Sequence, residues 1–474
     1  MQVRASFWFL VCSVLQRGIT VFTTPIFTRL LSTSEYGQYN VFNSWLDIIS
    51  IFVTLKLYFG VYVQGLVKFG DDRKRYASSM QGLGLTLSLL WTGIYLLFRD
   101  FWNNLFGLTT VQMLAMLVMI WAAGACYYWA GEQRNEFKYR ALVTLTLIVS
   151  VLKPVLSIFL ILHAEDKVTA RILGLALAEL IGYTGLFFIQ MVRGKTFYSA
   201  KYWKHAILFS LPLIPHYLSQ TVLNSSDRIM IKNMVGPAEA GIYGLTYSIS
   251  KIMTIFNQAM TQTLSPWMYQ KIKAGKAKDI ETVAYPALVG VAAVNLALIA
   301  FAPEIIAVFA PKPYHEAIWI IPPVAMSVYF MFSYHLFAAF EFYFEKTRFI
   351  MAASIVGAAL NVVLNYIFIQ KFGYFAAGYT TLFCYMIYAV GHYLFMRRVC
   401  DDHLGGEKVY NPKWLILISG VFLIAGFGFL FTYNHIVIRY SIVVILAILM
   451  IWKRKLIMSY VRQFMEIRRK RKKK

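Results

Sequence analysis

The chain reads as an all-α polytopic membrane protein with about 14 transmembrane helices, and three observations carry that reading. Apolar residues make up 59% of the 474 and charged residues only 14%, a balance extreme for a soluble domain of this length. The apolar residues fall in stretches of roughly 20 or more, enough to cross a hydrocarbon core of about 30 Å. The basic residues between the stretches collect in every second connection, which gives the chain an orientation.

In order, the spans are roughly 7 to 31, 39 to 67, 77 to 98, 108 to 130, 139 to 163, 170 to 192, 205 to 235, 240 to 266, 283 to 310, 316 to 340, 349 to 370, 374 to 396, 414 to 433 and 435 to 452. The first is too long for a signal peptide and ends without a small-x-small cleavage pattern, so it is kept as a helix. With the N-terminus inside, the cytoplasmic connections collect Arg4, then Lys68, Arg73, Lys74 and Arg75, then Arg134, Lys138 and Arg140. Further along they collect Arg193, Lys195, Lys201 and Lys204, the run Lys271, Lys273, Lys276 and Lys278, the pair Lys346 and Arg348, and Arg397, Arg398, Lys408 and Lys413. With eleven more from Lys453 to Lys474, 33 of the 46 basic residues fall on one side, and both termini are expected in the cytoplasm. The opposite connections, such as Ser32 to Gln38, Gly236 to Glu239 and Thr432 to Asn434, are short and carry few basic residues or none.

The net charge of +24 therefore lies in inner loops and tail. It fits anionic phospholipid at the cytoplasmic face, at about 1 kcal/mol per surface-near Lys or Arg, better than nucleic acid. The tail Arg468 to Lys474 reads as a membrane-surface anchor. Cys12, Cys126 and Cys384 lie inside spans and Cys400 in a cytoplasmic loop, so no disulfide framework is expected, and no Cys/His spacing suggests a metal. No loop carries a nucleotide-binding glycine motif or a Ser/His/Asp set. Asp401-Asp402-His403 ahead of Gly405-Gly406 reads as a solvated turn. A transporter is expected rather than an enzyme, with no catalytic residues and no cofactor.

An internal repeat sets the expected domains. Ser34-Glu35-Tyr36-Gly37-Gln38-Tyr39 matches Ala238-Glu239-Ala240-Gly241-Ile242-Tyr243 at an offset of about 204. Arg140 through Ser157 matches Arg348 through Asn365 near 208, with Lys153 against Asn361 and Ser157 against Asn365. The offset spans an even number of helices, so the halves run parallel about an axis along the membrane normal. The expected units are two pseudo-symmetric six-helix lobes around a central cavity, residues 1–203 and 204–396, an added helix pair 397–452 and a basic cytoplasmic tail 453–474.

Ionisable residues inside spans cost several kcal/mol at mid-bilayer and normally face a partner or a wet cavity. Here they are Arg17, Asp47, Lys56, Lys153, Glu179, Asp227, Arg228 and Lys251. Span 2 carries Tyr39, Asn43, Asp47, Ser50 and Thr54 on one helix face, and span 8 carries Tyr243, Tyr247, Lys251, Thr254 and Gln258. Asp47 and Lys251 are repeat equivalents. Span 7 adds His216, Gln220, Asn224 and Asp227, after Pro212 and Pro215, which should kink it near its cytoplasmic end. Lys56 lies nine residues from Asp47, off the face, so either the helix bends before Gly60 or Lys56 reaches a different neighbour or the inner interface. Lys153 and Glu179 are expected as a structural ion pair, Asp227 and Arg228 as gate, cavity or scaffold, and Arg17 and Lys251 as the leading cavity cations.

Several segments resemble the polysaccharide flippases of the multidrug/oligosaccharidyl-lipid/polysaccharide superfamily, the Wzx type. They are Thr28-Arg29-Leu30-Leu31-Ser32 with Glu35-Tyr36-Gly37 and Tyr39; Asp227-Arg228 leading to Gly236 and Gly241-Ile242-Tyr243; and Asn361-Val362-Val363-Leu364-Asn365 with Phe372-Gly373 and Ala376-Ala377-Gly378. The resemblance covers spans 1 to 12. It implies a cavity lined by spans 1, 2, 7 and 8 and movement of an undecaprenyl-pyrophosphate-linked oligosaccharide across the bacterial cytoplasmic membrane by alternating access, for O-antigen, capsule or other surface polysaccharide. On that reading Arg17, Lys251, Arg228, Asn43, Gln220, Asn224 and Tyr247 contact substrate, and Asp47 or Asp227 serves as a gate or couples H+ or Na+. Polysaccharide polymerase machinery is a further expected partner. The rival readings are an ion-coupled drug antiporter of the same superfamily, a peptidoglycan-precursor flippase and, from another class, a membrane glycan ligase or polymerase.

Overall fold

A computed structural model describes residues 2–455, 458 and 459 of the chain. Among these residues the secondary structure is helical throughout, with no strand. The basic tail beyond Lys455 lies outside the described residues.

The chain divides into two compact units, one built on residues up to Lys232 together with Gly236–Gly241, the other on Asn233–Val235 and residues from Ile242 onward. The first holds α1 (Gln2–Leu30), α2 (Thr33–Thr54), α3 (Val61–Lys68), α4 (Arg73–Leu97), α5 (Arg99–Phe106), α6 (Thr110–Asn135), α7 (Tyr139–His163), α8 (Lys167–Gly194), α9 (Ala200–Ser210) and α10 (Ile214–Met234). The long helix α11 (Pro237–Lys273) starts in the first unit and continues into the second. The second unit goes on with α12 (Glu281–Ala300), α13 (Ala302–Phe309), α14 (Ile321–Tyr343), α15 (Thr347–Phe372), α16 (Ala376–His403), α17 (Pro412–Thr432) and α18 (Ile436–Trp452). The pair α9 and α10, expected from 205 to 235 as the opening of a second lobe, clusters with the first unit.

Nine helical segments among the described residues are long and apolar enough to cross a membrane, and α18 is a shorter apolar helix. The helices α1, α2, α11 and α16 have the length as well, at 29, 22, 37 and 28 residues, and two of them, α2 and α11, carry polar faces read from the sequence. In the first unit α4, α6 and α8 form the packed centre, with α7 on α8 and α1 on α7. In the second, α14 is the central helix and packs against α12, α15, α16 and α17. Its sequence explains that place: between Ile321 and Phe340 it carries no charged residue, so it can be buried on every side.

Three spans are broken. The span expected from 39 to 67 ends as α2 at Thr54, and Leu55 and Lys56 turn left-handed at φ 48° and 50° before α3 begins. The bend before Gly60 is formed, at Leu55 and Lys56. The Pro212 and Pro215 kink appears as a 3-10 turn, Leu211–Leu213, between α9 and α10. The span from 283 to 310 is split at Phe301 into α12 and α13, with Pro303 in the first turn of α13.

The expected outer connection 32 to 38 is corrected. Ser32 caps α2: its hydroxyl accepts from the Glu35 amide at 3.2 Å while the Glu35 carboxylate takes the Ser32 amide at 2.7 Å. This capping box satisfies two otherwise orphaned groups and starts the helix at Thr33, so most of the expected loop is helix. The start of α11, with Pro237 at its first position, lies against the start of α2. A methyl group on Gly37 would overlap the Pro237 carbonyl and come 2.7 Å from the Gly241 amide nitrogen. One on Gly241 would overlap the Thr33 carbonyl and come 3.0 Å from the Gly37 nitrogen. The two glycines matched by the repeat thus meet backbone to backbone, which only glycine allows.

Candidate functional site

The polar face of α2 forms as a ladder. Asn43 donates to the Tyr39 carbonyl at 3.0 Å, Ser50 to that of Asp47 at 2.8 Å, and Thr54 to that of Ser50 at 2.6 Å. These bonds return hydroxyl and amide groups to their own helix, which lets a polar face sit at membrane depth without orphaned groups. The Asp47 carboxylate is exposed and accepts from the Ser225 hydroxyl of α10 at 3.3 Å. On α10, Asn224 donates to the Gln220 carbonyl at 2.7 Å. The buried Arg228 guanidinium donates to the Asn224 carbonyl and lies 3.4 Å from Ser225 Oγ. Asp47, Ser225, Asn224 and Arg228 therefore form one connected polar run, with an acceptor at one end and a cation at the other. Asp227 is buried beside Arg228, 1% exposed.

Arg17 is half-buried on α1, where its neighbour Gln16 donates to Ser150 of α7 at 3.2 Å. Tyr247 lies on α11, its ring 6.5 Å from that of Tyr243. Lys251 also falls on α11, but its side chain lies outside the described residues. Lys153 of α7 stands 2.6 Å from Glu179 of α8, at 30% and 7% side-chain exposure. Lys56 turns back beside the break in span 2, with Nζ 3.1 Å from Ser50 Oγ and 3.2 Å from the Tyr58 hydroxyl. A small recess, with room for about one water, adjoins the break, with Thr54, Tyr58, Gln81, Ser88 and Tyr128 in its lining.

Several polar groupings were not read from the sequence, among them the following three. Buried Arg171 of α8 lies between aromatic rings, its guanidinium carbon 3.4 Å from the Tyr39 centroid and 3.9 Å from that of Phe27. In the centre of the first unit, Gln81 donates to Gln190 at 2.7 Å, and Gln190 donates to the Glu132 carboxylate at 2.7 Å. In the second unit Glu341 and His392 form a sealed pair. The insertion cost that flagged Asp47 applies equally to His392, within the span 374 to 396, whereas Glu341 falls one residue past the expected end of its span at 340 and enters it because α14 continues to Tyr343.

Residues 3–272 match the family described as polysaccharide biosynthesis protein, more than half of the chain. The chain belongs to the polysaccharide biosynthesis protein family. Residues 212–367 of this polysaccharide biosynthesis protein also match the MatE family. Among curated relatives, an uncharacterized membrane protein of Haemophilus influenzae is 23% identical over 355 residues, covering 71% of this chain and 82% of the relative. The Lsg locus putative protein 1 of the same organism is 30% identical over 122 residues, 24% of this chain and 30% of the relative.

The fold is shared with solved structures of the MOP superfamily. An inward-facing multidrug resistance MATE family transporter superposes with a TM-score of 0.66 at 16% identity, covering 83% of this chain and 96% of that one. The lipid II flippase MurJ, in an inward closed conformation, superposes with a TM-score of 0.65 at 16% identity, covering 94% and 99%. The all-helical polytopic fold expected from the sequence is the fold of these proteins.

Proposed function

We propose that this polysaccharide biosynthesis protein is a flippase. It would move an undecaprenyl-pyrophosphate-linked oligosaccharide from the inner to the outer leaflet of a bacterial cytoplasmic membrane, by alternating access and with both termini in the cytoplasm. The observation that carries the reading is the connected polar run Asp47–Ser225–Asn224–Arg228, set on membrane spans of a family member. A pyrophosphate cannot cross hydrocarbon bare, and an arginine fork suits its oxygens where a lysine would supply only a point charge. Arg17 and Arg228 take the anionic part, and Asn43, Gln220, Asn224 and Tyr247 offer amide and hydroxyl groups to sugar. Lys251 remains a cation candidate on sequence alone. Asp47 and Asp227 are the candidate gate or H+/Na+ groups, and Lys153 with Glu179 is scaffold. No covalent step is needed.

Deleting the gene should make lipid-linked repeat units accumulate on the cytoplasmic leaflet, and wild type but not R17A/R228A should clear them. Clearance by properly inserted R17A/R228A at the parental rate sinks the residue assignment. An unchanged leaflet distribution after deletion sinks the function. The match of residues 212–367 to the MatE family, with the exposed Asp47 carboxylate, supports a second reading: export of a cationic small molecule. Drug sensitivity of the deletion strain without glycan loss would favour it.

A further inference from the structure

Glu341 of α14 and His392 of α16 are 0% and 1% exposed, and the imidazole Nδ1 lies 2.9 Å from both carboxylate oxygens. Aromatic rings close around the imidazole: Tyr388 at 4.5 Å between centroids, Tyr334 at 5.3 Å and Phe349 of α15 at 5.6 Å. The other imidazole nitrogen, Nε2, is buried and has no hydrogen-bond partner among the described residues. Beside it the Tyr334 ring lies tilted against that of His335, 4.2 Å between centroids, and these two are only half-buried.

The charge arithmetic of so enclosed a pair is restrictive. With one proton shared between Glu341 and His392 the pair is neutral overall. Removing that proton leaves a lone negative charge, and adding another leaves a lone positive one. Either change costs several kcal/mol at a site closed to bulk solvent and without a third charged partner. Among the described residues no third charged side chain pairs with Glu341 or His392. Tyr334 and His335 from α14 and Tyr388 from α16 are the titratable groups facing the pair, and α15 contributes Phe349 and the Ser354 hydroxyl bonded to Tyr388. Arg348 and Arg397 are exposed at the ends of their helices. At the Glu341 end of α14 the other packed elements bring Glu281 and Tyr285 of α12, Tyr410 and Lys413 at the start of α17, and Tyr269 and Lys271 of α11; Glu281 lies by Lys278 and Lys271 by Asp279, and none of these groups hydrogen-bonds or ion-pairs with Glu341 or His392 among the described residues. The turn Lys312–Trp319 adjoins the opposite end of α14, some 20 residues or about 30 Å from Glu341.

A sealed pair must therefore keep its proton until the helices part and water reaches Nε2. We propose that Glu341 and His392 form a proton-binding site, occupied in the sealed arrangement and emptied when α14 and α16 separate, through which the transport cycle draws on the transmembrane proton gradient. This rests on the flippase reading and adds to it a coupling site that the sequence had assigned to Asp47 or Asp227.

The test uses full-length protein in vesicles with labelled undecaprenyl pyrophosphate as probe, following its leaflet distribution without a pH gradient and with a gradient of one unit. One coupled proton allows a bias of up to about tenfold. Wild type should show the bias. E341Q and H392N should still exchange the probe without a gradient but lose the bias, and E341H/H392E, which restores the pair in reverse, should regain it. A bias kept in both E341Q and H392N, or absent from wild type that moves the probe, overturns the site. A second arm needs neither transport nor variant folding: nitrogen spectra of the wild-type imidazoles in nanodiscs, with His392 assigned by its loss in H392N or by relaxation from the Tyr388 ring. The His392 imidazole should show both protonation states as open and sealed forms exchange. A His392 held in one state throughout overturns the proton site whatever the probe does, whereas a titrating His392 with an immobile probe leaves the proton site standing and removes the flippase reading.

Discussion

Replacing Gly37 by alanine tests the backbone contact between the starts of α2 and α11. The added methyl carbon would stand 2.7 Å from the Gly241 amide nitrogen, against the 3.4 Å at which ordinary contact begins, a shortfall of about 0.7 Å, and would also overlap the Pro237 carbonyl. Neither obstacle is a flexible side chain, so the helices must separate. Overpacking of this kind costs about 1–3 kcal/mol. Alanine also returns up to about 1 kcal/mol of helix propensity, so a single measurement would blur the two terms. Gly18, within α1, has no neighbour within 4 Å of an added methyl and gains the propensity alone. The difference between G37A and G18A isolates the overlap and should be about 1–3 kcal/mol, with G241A behaving like G37A. The assay is equilibrium unfolding of the purified protein in mixed micelles, read by tryptophan fluorescence. Equal stability of G37A and G18A would refute the contact.

Three further outcomes follow from the polar groups. Lys153→Met leaves the buried Glu179 without its cation and should destabilise by about 3–5 kcal/mol, whereas K153M/E179L should restore most of that loss in the same unfolding assay. Arg171→Met removes two close ring contacts and should cost about 2 kcal/mol, with R171K intermediate if the planar guanidinium matters; equal stability of R171M and wild type would count against the stack. Ser32→Ala opens the cap of α2 and should cost about 1 kcal/mol, measured as faster amide exchange confined to residues 33–36.

Which spans exist was legible because insertion into lipid depends on run length and composition, and both are local. Breaks were legible where a residue contradicted the run. Lys56 fell off the polar face of its span, and the backbone does turn there; Pro212 and Pro215 announced the turn at Leu211–Leu213. The break at Phe301 was marked in the same way, by Pro303 and the charged Glu304 inside the expected span, both of which suit the first turn of a new helix. The capping box at Ser32 and Glu35 was visible as spacing and was passed over in favour of a loop. The face of α2 followed from a period of three and four, and its ladder of hydrogen bonds is confined to one helix. Its bond to Ser225 needed the packing of α10, and the cage of Arg171 needed three helices to converge. Glu341 and His392 are 51 residues apart, so each looked isolated until α14 and α16 were laid side by side.

The interrupted span at Leu55 and Lys56 divides its anchorage. Its upper length packs Phe42 and Val53 into a cluster with α6 and α8, while the lower length packs Val61, Tyr62 and Leu66 with Tyr76, Tyr128 and Tyr202 of α4, α6 and α9. Two non-glycine residues in left-handed geometry cost about 1–2 kcal/mol each, so the elbow persists only while both anchorages hold. If either cluster loosens, the cheapest relief is for the joint to straighten into continuous helix. One crossing of the membrane is thus a jointed rod spring-loaded at its knee, and a disturbance at one end can arrive at the other as rotation.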